Sequence, residues 1–223
     1  MDDHIRGIGM KLPEIGTIEA FAMIIDVNGF SPMVSASQPS DCVAQFVRDV
    51  LSGGISIVQK NGGSVVSFMG DAFLAILDNP DSVYMSCAGI AKDLDRLCEN
   101  ISEHQKEYPN DWHYAKGGAG LKIAIEYGWI DISTISSNLI GQQRLLIGPP
   151  INYASRISSA GIGNRCIVGP EAMNSHGMNQ WRFNGPYSIK GKDGERDYIY
   201  WQLYLGDIWR EGKIGAYEET YWG

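Results

Sequence analysis

Phe21-Ala-Met-Ile-Ile-Asp26-Val-Asn-Gly-Phe30-Ser31 is an apolar run that ends in a carboxylate and then a glycine turn. Val65-Val-Ser-Phe-Met-Gly-Asp71-Ala-Phe-Leu-Ala-Ile76 repeats the arrangement in reverse, with glycine and aspartate set between two apolar arms. Apolar runs of this length read as buried strands, and the glycines permit tight turns. Hard oxygen ligands on neighbouring rigid strands are what a pair of divalent cations needs to grip a triphosphate. A single aspartate after a strand is most often a turn former or helix cap. The pair is harder to dismiss, because Asp71 is flanked by apolar residues, where a lone carboxylate is costly. Asn28, Gly29, Phe30 and Ser31 form a turn whose N–H groups can make an anion-binding concavity.

Working outward, residues 19–26 form the first strand. Pro39-Ser-Asp41 opens a helix whose Val43, Phe46, Val47, Val50 and Leu51 recur with helical spacing. Ile55 to Gln59 and Ser64 to Met69 flank Asn61-Gly-Gly63, a hairpin turn signal, with Ala72 to Leu77 continuing the second arm. After Asn79-Pro-Asp81 a long helix carries Ile90, Leu94, Leu97 and Ile101 on one stripe. Residues 106–119 read as loop. Strands follow at Leu121 to Tyr127, Trp129 to Ser133 and Leu145 to Ile147, then a helix over Ile151 to Ser159. Short strands near Cys166 to Val168 and Tyr198 to Leu205 surround a helical turn at Pro170 to Ser175. The order predicts a ferredoxin-like α+β sandwich, a mostly antiparallel sheet with helices on one face.

A chain of 223 residues with no internal repeat or linker fits one domain spanning 1–223, with a core of about 19–205. Residues 206–223 read as a C-terminal arm, Trp209, Tyr217, Tyr221 and Trp222 standing among charges; it packs on its own domain or reaches across a dimer. The formal charge is −8 without any basic run, which excludes a nucleic-acid groove. Cys42, Cys87, Cys98 and Cys166 lack the spacing of zinc or redox pairs, which points to the reducing cytoplasm. The N-terminus lacks the build of a signal peptide. No apolar run approaches the ~20 residues of a membrane span, so no membrane partner is expected.

Two further places carry chemistry. In Ile147-Gly-Pro-Pro-Ile-Asn152-Tyr-Ala-Ser-Arg156-Ile-Ser, Asn152 and Arg156 share one helix face, while Ile151, Ala154 and Ile157 can face the core. An arginine near a reacting phosphate stabilises developing charge, and an amide beside it can hold a sugar; an Asn/Arg pair alone is more often a solvated face. In Tyr187-Ser-Ile-Lys190-Gly-Lys192, Lys190 stands where backbone can approach an anion, and Lys192 points to solvent. Lys122, opening the strand at Leu121, is a further phosphate candidate, or an ordinary edge-of-strand lysine.

In four places the chain resembles the class III nucleotidyl cyclases. Ile24-Ile-Asp26-Val-Asn-Gly-Phe-Ser31 is similar to that family's Phe-x-Asp-(aliphatic)-x-Gly-Phe-(Ser/Thr), with the upstream aromatic shifted. Ser67-Phe-Met-Gly-Asp71 matches part of (Lys/Glu)-x-x-Gly-Asp, Ile147 to Arg156 matches the Ile-Gly-x-x-(Val/Ile)-Asn-x-Ala-(Ser/Ala)-Arg motif, and Ile189-Lys190-Gly191 matches (Val/Ile)-Lys-Gly. The resemblance implies a head-to-tail homodimer with two active sites at the interface. Asp26, Asp71 and the Val27 carbonyl would bind two Mg2+ or Mn2+ ions. The partner chain would supply Asn152 for the ribose, Arg156 for the α-phosphate and Lys190 for the terminal phosphates, and Lys122 stands where the family often has a triphosphate-contacting arginine. The product would be a 3′,5′-cyclic mononucleotide.

Base reading departs from the family pattern. Adenylate cyclases place lysine at the position of Ser67 and aspartate or threonine at that of Leu145; guanylate cyclases place glutamate and a small polar group there. Leucine neither donates nor accepts a hydrogen bond, so neither purine pattern is met, and a purine edge would be left unpaired. The chain thus resembles the pyrimidine cyclases of the Pycsar anti-phage systems, whose cyclic UMP or cyclic CMP activates a separately encoded effector. Overall similarity favours UTP over CTP.

Overall fold

The computed structural model describes residues 10–28, 41–107, 120–137, 141–160, 164–175, 178, 181–192 and 194–212. Expectations for Gly29, Phe30, Ser31, residues 108–119 and 213–223, and for the side chains of Asn28, Val43, Phe46, Leu94, Leu97 and Ile101, lie outside the described residues.

The elements run β1 (Gly16–Asn28), α1 (Asp41–Lys60), β2 (Ser64–Met69), β3 (Ala72–Leu77), α2 (Pro80–Glu107), β4 (Gly120–Ser137), β5 (Gly141–Ile147) and α3 (Pro149–Ser158). Then follow β6 (Arg165–Val168), α4 (Pro170–Ser175), β7 (Asn184–Ile189), β8 (Tyr198–Tyr204) and α5 (Leu205–Gly212). The strands form one sheet in the order β2-β3-β1-β4-β6-β8-β7, with β5 on the outer half of β4. Every pairing is antiparallel except β4 with β6.

β1 is apolar on both faces because both are covered. Phe21, Met23, Ile25 and Val27 join Phe73, Ile123 and Ile125 beneath Val50 and Val58 of α1 and Val83 and Ile90 of α2. Ala20, Ala22, Ile24, Leu74 and Ala124 form the opposite face, beneath Ala154 and Ile157 of α3. Small residues there let α3 come close. Helices therefore lie on both faces, not one: a strand without polar alternation needs cover on each side.

The turn at residues 61–63 is a helix end, not the tip of a hairpin, and Ile55 to Gln59 belong to α1. Gly62 takes φ +86°, its N–H donates to Gln59 O at 3.1 Å, and Gly63 N–H donates to Val58 O at 2.9 Å. This is the bonding of a Schellman cap. The helix wins over a strand at 55–59 because Val50, Gly54 and Val58 share its sheet-facing side, and Gly54 has the Phe73 ring 3.2 Å from where a Cβ would stand. The hairpin is instead β2–β3, closed by Gly70-Asp71. Gly70 has φ +70°, which suits the first turn position of a type II′ loop.

The two strands expected over 121–133 are one, β4, paired continuously with β1 through Gly128. Two elements were not foreseen: β7 at Asn184–Ile189, and α5, whose Leu205 and Ile208 are buried in the core. The first part of the expected C-terminal arm is thus a core helix of its own chain.

Candidate active site

Strand register brings Asp26 and Asp71 together. Asp26 pairs with Ala72, the residue after Asp71, and Val27 N–H donates to Asp71 O at 3.3 Å. The hairpin tip therefore rests on the end of β1. On the other side Asp26 pairs with Lys122 of β4, and Lys122 Nζ lies 4.0 Å from Asp26 Oδ2. Burial pushes the Asp26 carboxyl above its ordinary range; the Asp71 charge pushes it further, and Lys122 pulls it back. Lys122 lies at the start of β4, which runs inside the sheet between β1 and β6.

Among the described residues no group of three or more acidic, histidine or cysteine side chains gathers. A divalent cation here would rest on two carboxylates, the Val27 carbonyl and oxygens of the ligand itself. That donor set is hard and charge-matched, and repulsion between the two carboxylates gives a cation something to relieve. The residues fit the ions.

α3 presents the second group. Gly148 precedes it, where a Cβ would meet Trp129 O at 2.4 Å, so only glycine lets this helix start so close to β4. Ala154 and Ile157 are buried and Ile151 packs beside them, as the spacing predicts, while Asn152 is exposed. Tyr153 ties the helix to β8: its hydroxyl donates to Ile199 O at 2.9 Å and accepts from Ile199 N–H at 2.8 Å. Arg156 turns toward the same side, and its Nη2 donates to Glu195 Oε1 at 2.6 Å. β8 lies three strand positions from β1, roughly 14 Å across the sheet. One chain thus gathers Asp26, Asp71 and Lys122 at the end of β1 and pairs Arg156 with Glu195.

Lys190 is exposed immediately after β7. Its neighbour Gly191 faces the chain and not an open anion cradle: a Cβ there would lie 2.5 Å from Arg196 O and 2.8 Å from Glu195 Cβ. Ser67 is exposed beside a register shift in β2 and lines a cleft of about 770 Å³ with Gln143 and Arg144. Leu145, half-buried, follows Arg144 on β5 and pairs with Ser133.

Sequence reasoning missed Glu195 and Glu126. Glu195 follows a Lys-Asp-Gly turn and carries no motif. Glu126, mid-strand in β4, is 2% exposed; its Oε1 accepts from Ala172 N–H at 2.7 Å and Tyr127 N–H at 2.9 Å, and its Oε2 has no hydrogen-bond partner among the described residues. Burial, aided by the Glu171 charge, outweighs the backbone N–H bonds from Ala172, Tyr127 and Glu171 and pushes its carboxyl up to about 7. A glutamate inside the otherwise apolar run 123–130 was the available signal.

Residues 17–202 match the model of the adenylate and guanylate cyclase catalytic domain, and the chain belongs to that family. It is a nucleotidyl cyclase domain, a lyase of nucleoside triphosphates. Among solved structures it resembles the guanylyl cyclase Cya2, with 16% identity over 85% of this chain and 93% of that one and a TM-score of 0.68. The adenylyl cyclase CyaB from P. aeruginosa is similar over 85% and 96% of the two chains, at 16% identity and a TM-score of 0.59. The non-canonical dimeric guanylyl cyclase domain of the RhoGC fusion protein from the aquatic fungus Blastocladiella emersonii is similar over 85% of this chain and 98% of that one, at 16% identity and a TM-score of 0.55. At such identities the likeness concerns the fold. No curated protein matches the chain. Among the described residues no helix is long and apolar enough to cross a membrane.

Proposed function

We propose that the chain is a uridylate cyclase, converting UTP to 3′,5′-cyclic UMP and pyrophosphate in a homodimer whose sites combine residues of both chains. The observation that carries this is the pairing within one chain: Asp26 and Asp71 meet at adjoining strand ends with Lys122 as their cation, while Arg156 is paired with Glu195 just before β8. A head-to-tail partner would bring its Asn152, Arg156 and Lys190 to the first chain's carboxylates.

Asp26, Asp71 and the Val27 carbonyl would hold two Mg2+ or Mn2+ ions, which when bound make the ribose 3′-hydroxyl more acidic and neutralise the departing pyrophosphate. The protein's own part is positioning. Asn152 holds the ribose so that its 3′-oxygen lies in line with the α-phosphorus. Arg156 stabilises charge on the α-phosphate as the new P–O bond forms and the bond to pyrophosphate breaks. Lys190 holds the terminal phosphates, and Lys122 adds positive charge at the carboxylate end.

Uracil is favoured by what surrounds the base-reading positions. Ser67 shares its cleft with Gln143 and Arg144, all able to donate to ring carbonyl oxygens, and Leu145 offers a purine edge no partner. The Arg144 guanidinium can only donate, which suits a ring carbonyl oxygen, while Ser67 and Gln143 can donate or accept. Cyclic UMP would then act as a second messenger for a separately encoded effector, as the likeness to anti-phage pyrimidine cyclases suggests. Incubating the purified protein with each of ATP, GTP, CTP and UTP plus Mn2+ tests the reading. Cyclic UMP as the main product is expected; cyclic CMP or a cyclic purine nucleotide as the main product overturns the base assignment, and no cyclic product overturns the function.

A further inference from the structure

Glu195 uses each of its carboxylate oxygens on a different part of the proposed phosphate-binding apparatus. Oε1 accepts from Arg156 Nη2 at 2.6 Å, and Oε2 accepts from Lys192 N–H at 3.1 Å. Its own N–H returns to Lys192 O at 2.8 Å, closing a compact loop from 192 to 195. Gly191 packs directly on the backbone of Glu195 and Arg196, so the chain leaving Lys190 is fitted to this loop without slack. Tyr153, three residues before Arg156 on α3, fastens the same helix to Ile199 just beyond the loop.

An exposed ion pair contributes little to stability, and both side chains here are 30% exposed. The pair is better explained by orientation. A guanidinium has five donors in a fixed plane; fixing Nη2 on a carboxylate sets that plane, and the Tyr198 side chain bonds both members of the pair. Nε is buried without a partner among the described residues. Bonds from Lys192 N–H and Arg156 hold the Glu195 carboxyl below its ordinary range, so it stays charged near neutral pH.

We propose that Glu195 is a positioning residue, which sets the Arg156 guanidinium and the Lys190 loop in one fixed relation so that both address the same triphosphate. This rests on the reading of Arg156 and Lys190 as phosphate-binding residues. Glu195 touches no substrate in this scheme; it acts through Arg156. Misplacing a group that acts in the transition state by about an ångström costs about 100-fold.

The test is steady-state kinetics of the full chain with UTP and Mn2+, comparing wild type, Glu195→Ala and Glu195→Gln. Glu195→Ala should lower kcat by about 10–100-fold with KM changed far less, at an unaltered melting temperature. Glu195→Gln, which keeps one acceptor oxygen, should fall between, and remains a test should the alanine variant not fold. In an Arg156→Lys background, Glu195→Ala should cost little more, because the two residues act as one unit. Wild-type turnover with kcat unimpaired in both variants, or an equal loss in the Arg156→Lys background, overturns the inference alone. Wild type that cyclises none of the four nucleotides overturns the cyclase reading and this inference with it.

Discussion

Lys122 stands directly opposite Asp26 in the register of β1 and β4, with 4.0 Å between its Nζ and Asp26 Oδ2. It is the cation that limits how far burial and Asp71 raise the Asp26 carboxyl. Replacing it with Lys122→Met removes the positive charge that favours ionised Asp26. The Asp26 carboxyl then rises further, and protons compete with metal up to a higher pH. The acidic limb of the pH–rate profile should move upward, so the variant loses more activity at pH 6 than at pH 8. Equal losses at both would separate Lys122 from the charge state of Asp26.

Glu126 makes stability depend on pH. Its carboxyl is raised from 4.5 to about 7 in the fold, so its protonated form is favoured by folding. The stabilisation is complete below the unfolded value and is lost as pH rises through about 7. The shift corresponds to about 3 kcal/mol. Glu126→Gln keeps an acceptor for the Ala172 and Tyr127 N–H groups without the charge, and should melt higher than wild type at pH 8 while losing the decline. Parallel stability curves for the two proteins from pH 5 to 8 would contradict this.

Gly62 holds the left-handed conformation that ends α1. Gly62→Ala should cost about 1 kcal/mol, read as a lower denaturant midpoint at unchanged m-value. Because the cap sits away from Asp26, cyclase activity of the folded fraction should be unchanged.

Base choice should be transferable. The double change Ser67→Lys with Leu145→Asp installs the polar pair that adenylate cyclases carry at these positions. Turnover of UTP should fall and that of ATP rise in a mixed-nucleotide competition assay. Unchanged preference would locate base reading elsewhere.

Much of this was legible in the chain. The Asp26 strand, the glycine-aspartate pair and the α3 motif declare themselves because apolar periodicity and local turn chemistry are short-range. Asn61-Gly62-Gly63 misled because a left-handed glycine serves a helix end as well as a hairpin, and only the packing of Gly54 on Phe73 decides between them. β7 escaped because its residues are mostly exposed and interrupted by Gly185 and Pro186, which leaves no alternation to read. Glu195 was invisible for a different reason: its role depends on Arg156, 39 residues away in sequence and joined only by the folding of α3 against β8.

The central claim is that each active site takes its carboxylates from one chain and its amide and guanidinium from the other. Complementation tests it most directly. Asp71→Ala and Arg156→Ala, each purified alone, should make no cyclic UMP. Mixed and allowed to exchange subunits, they should regain about a quarter of wild-type activity, because half the dimers are hybrids with one intact site of two. A mixture as silent as its components, from variants shown to have exchanged subunits, would contradict the shared site.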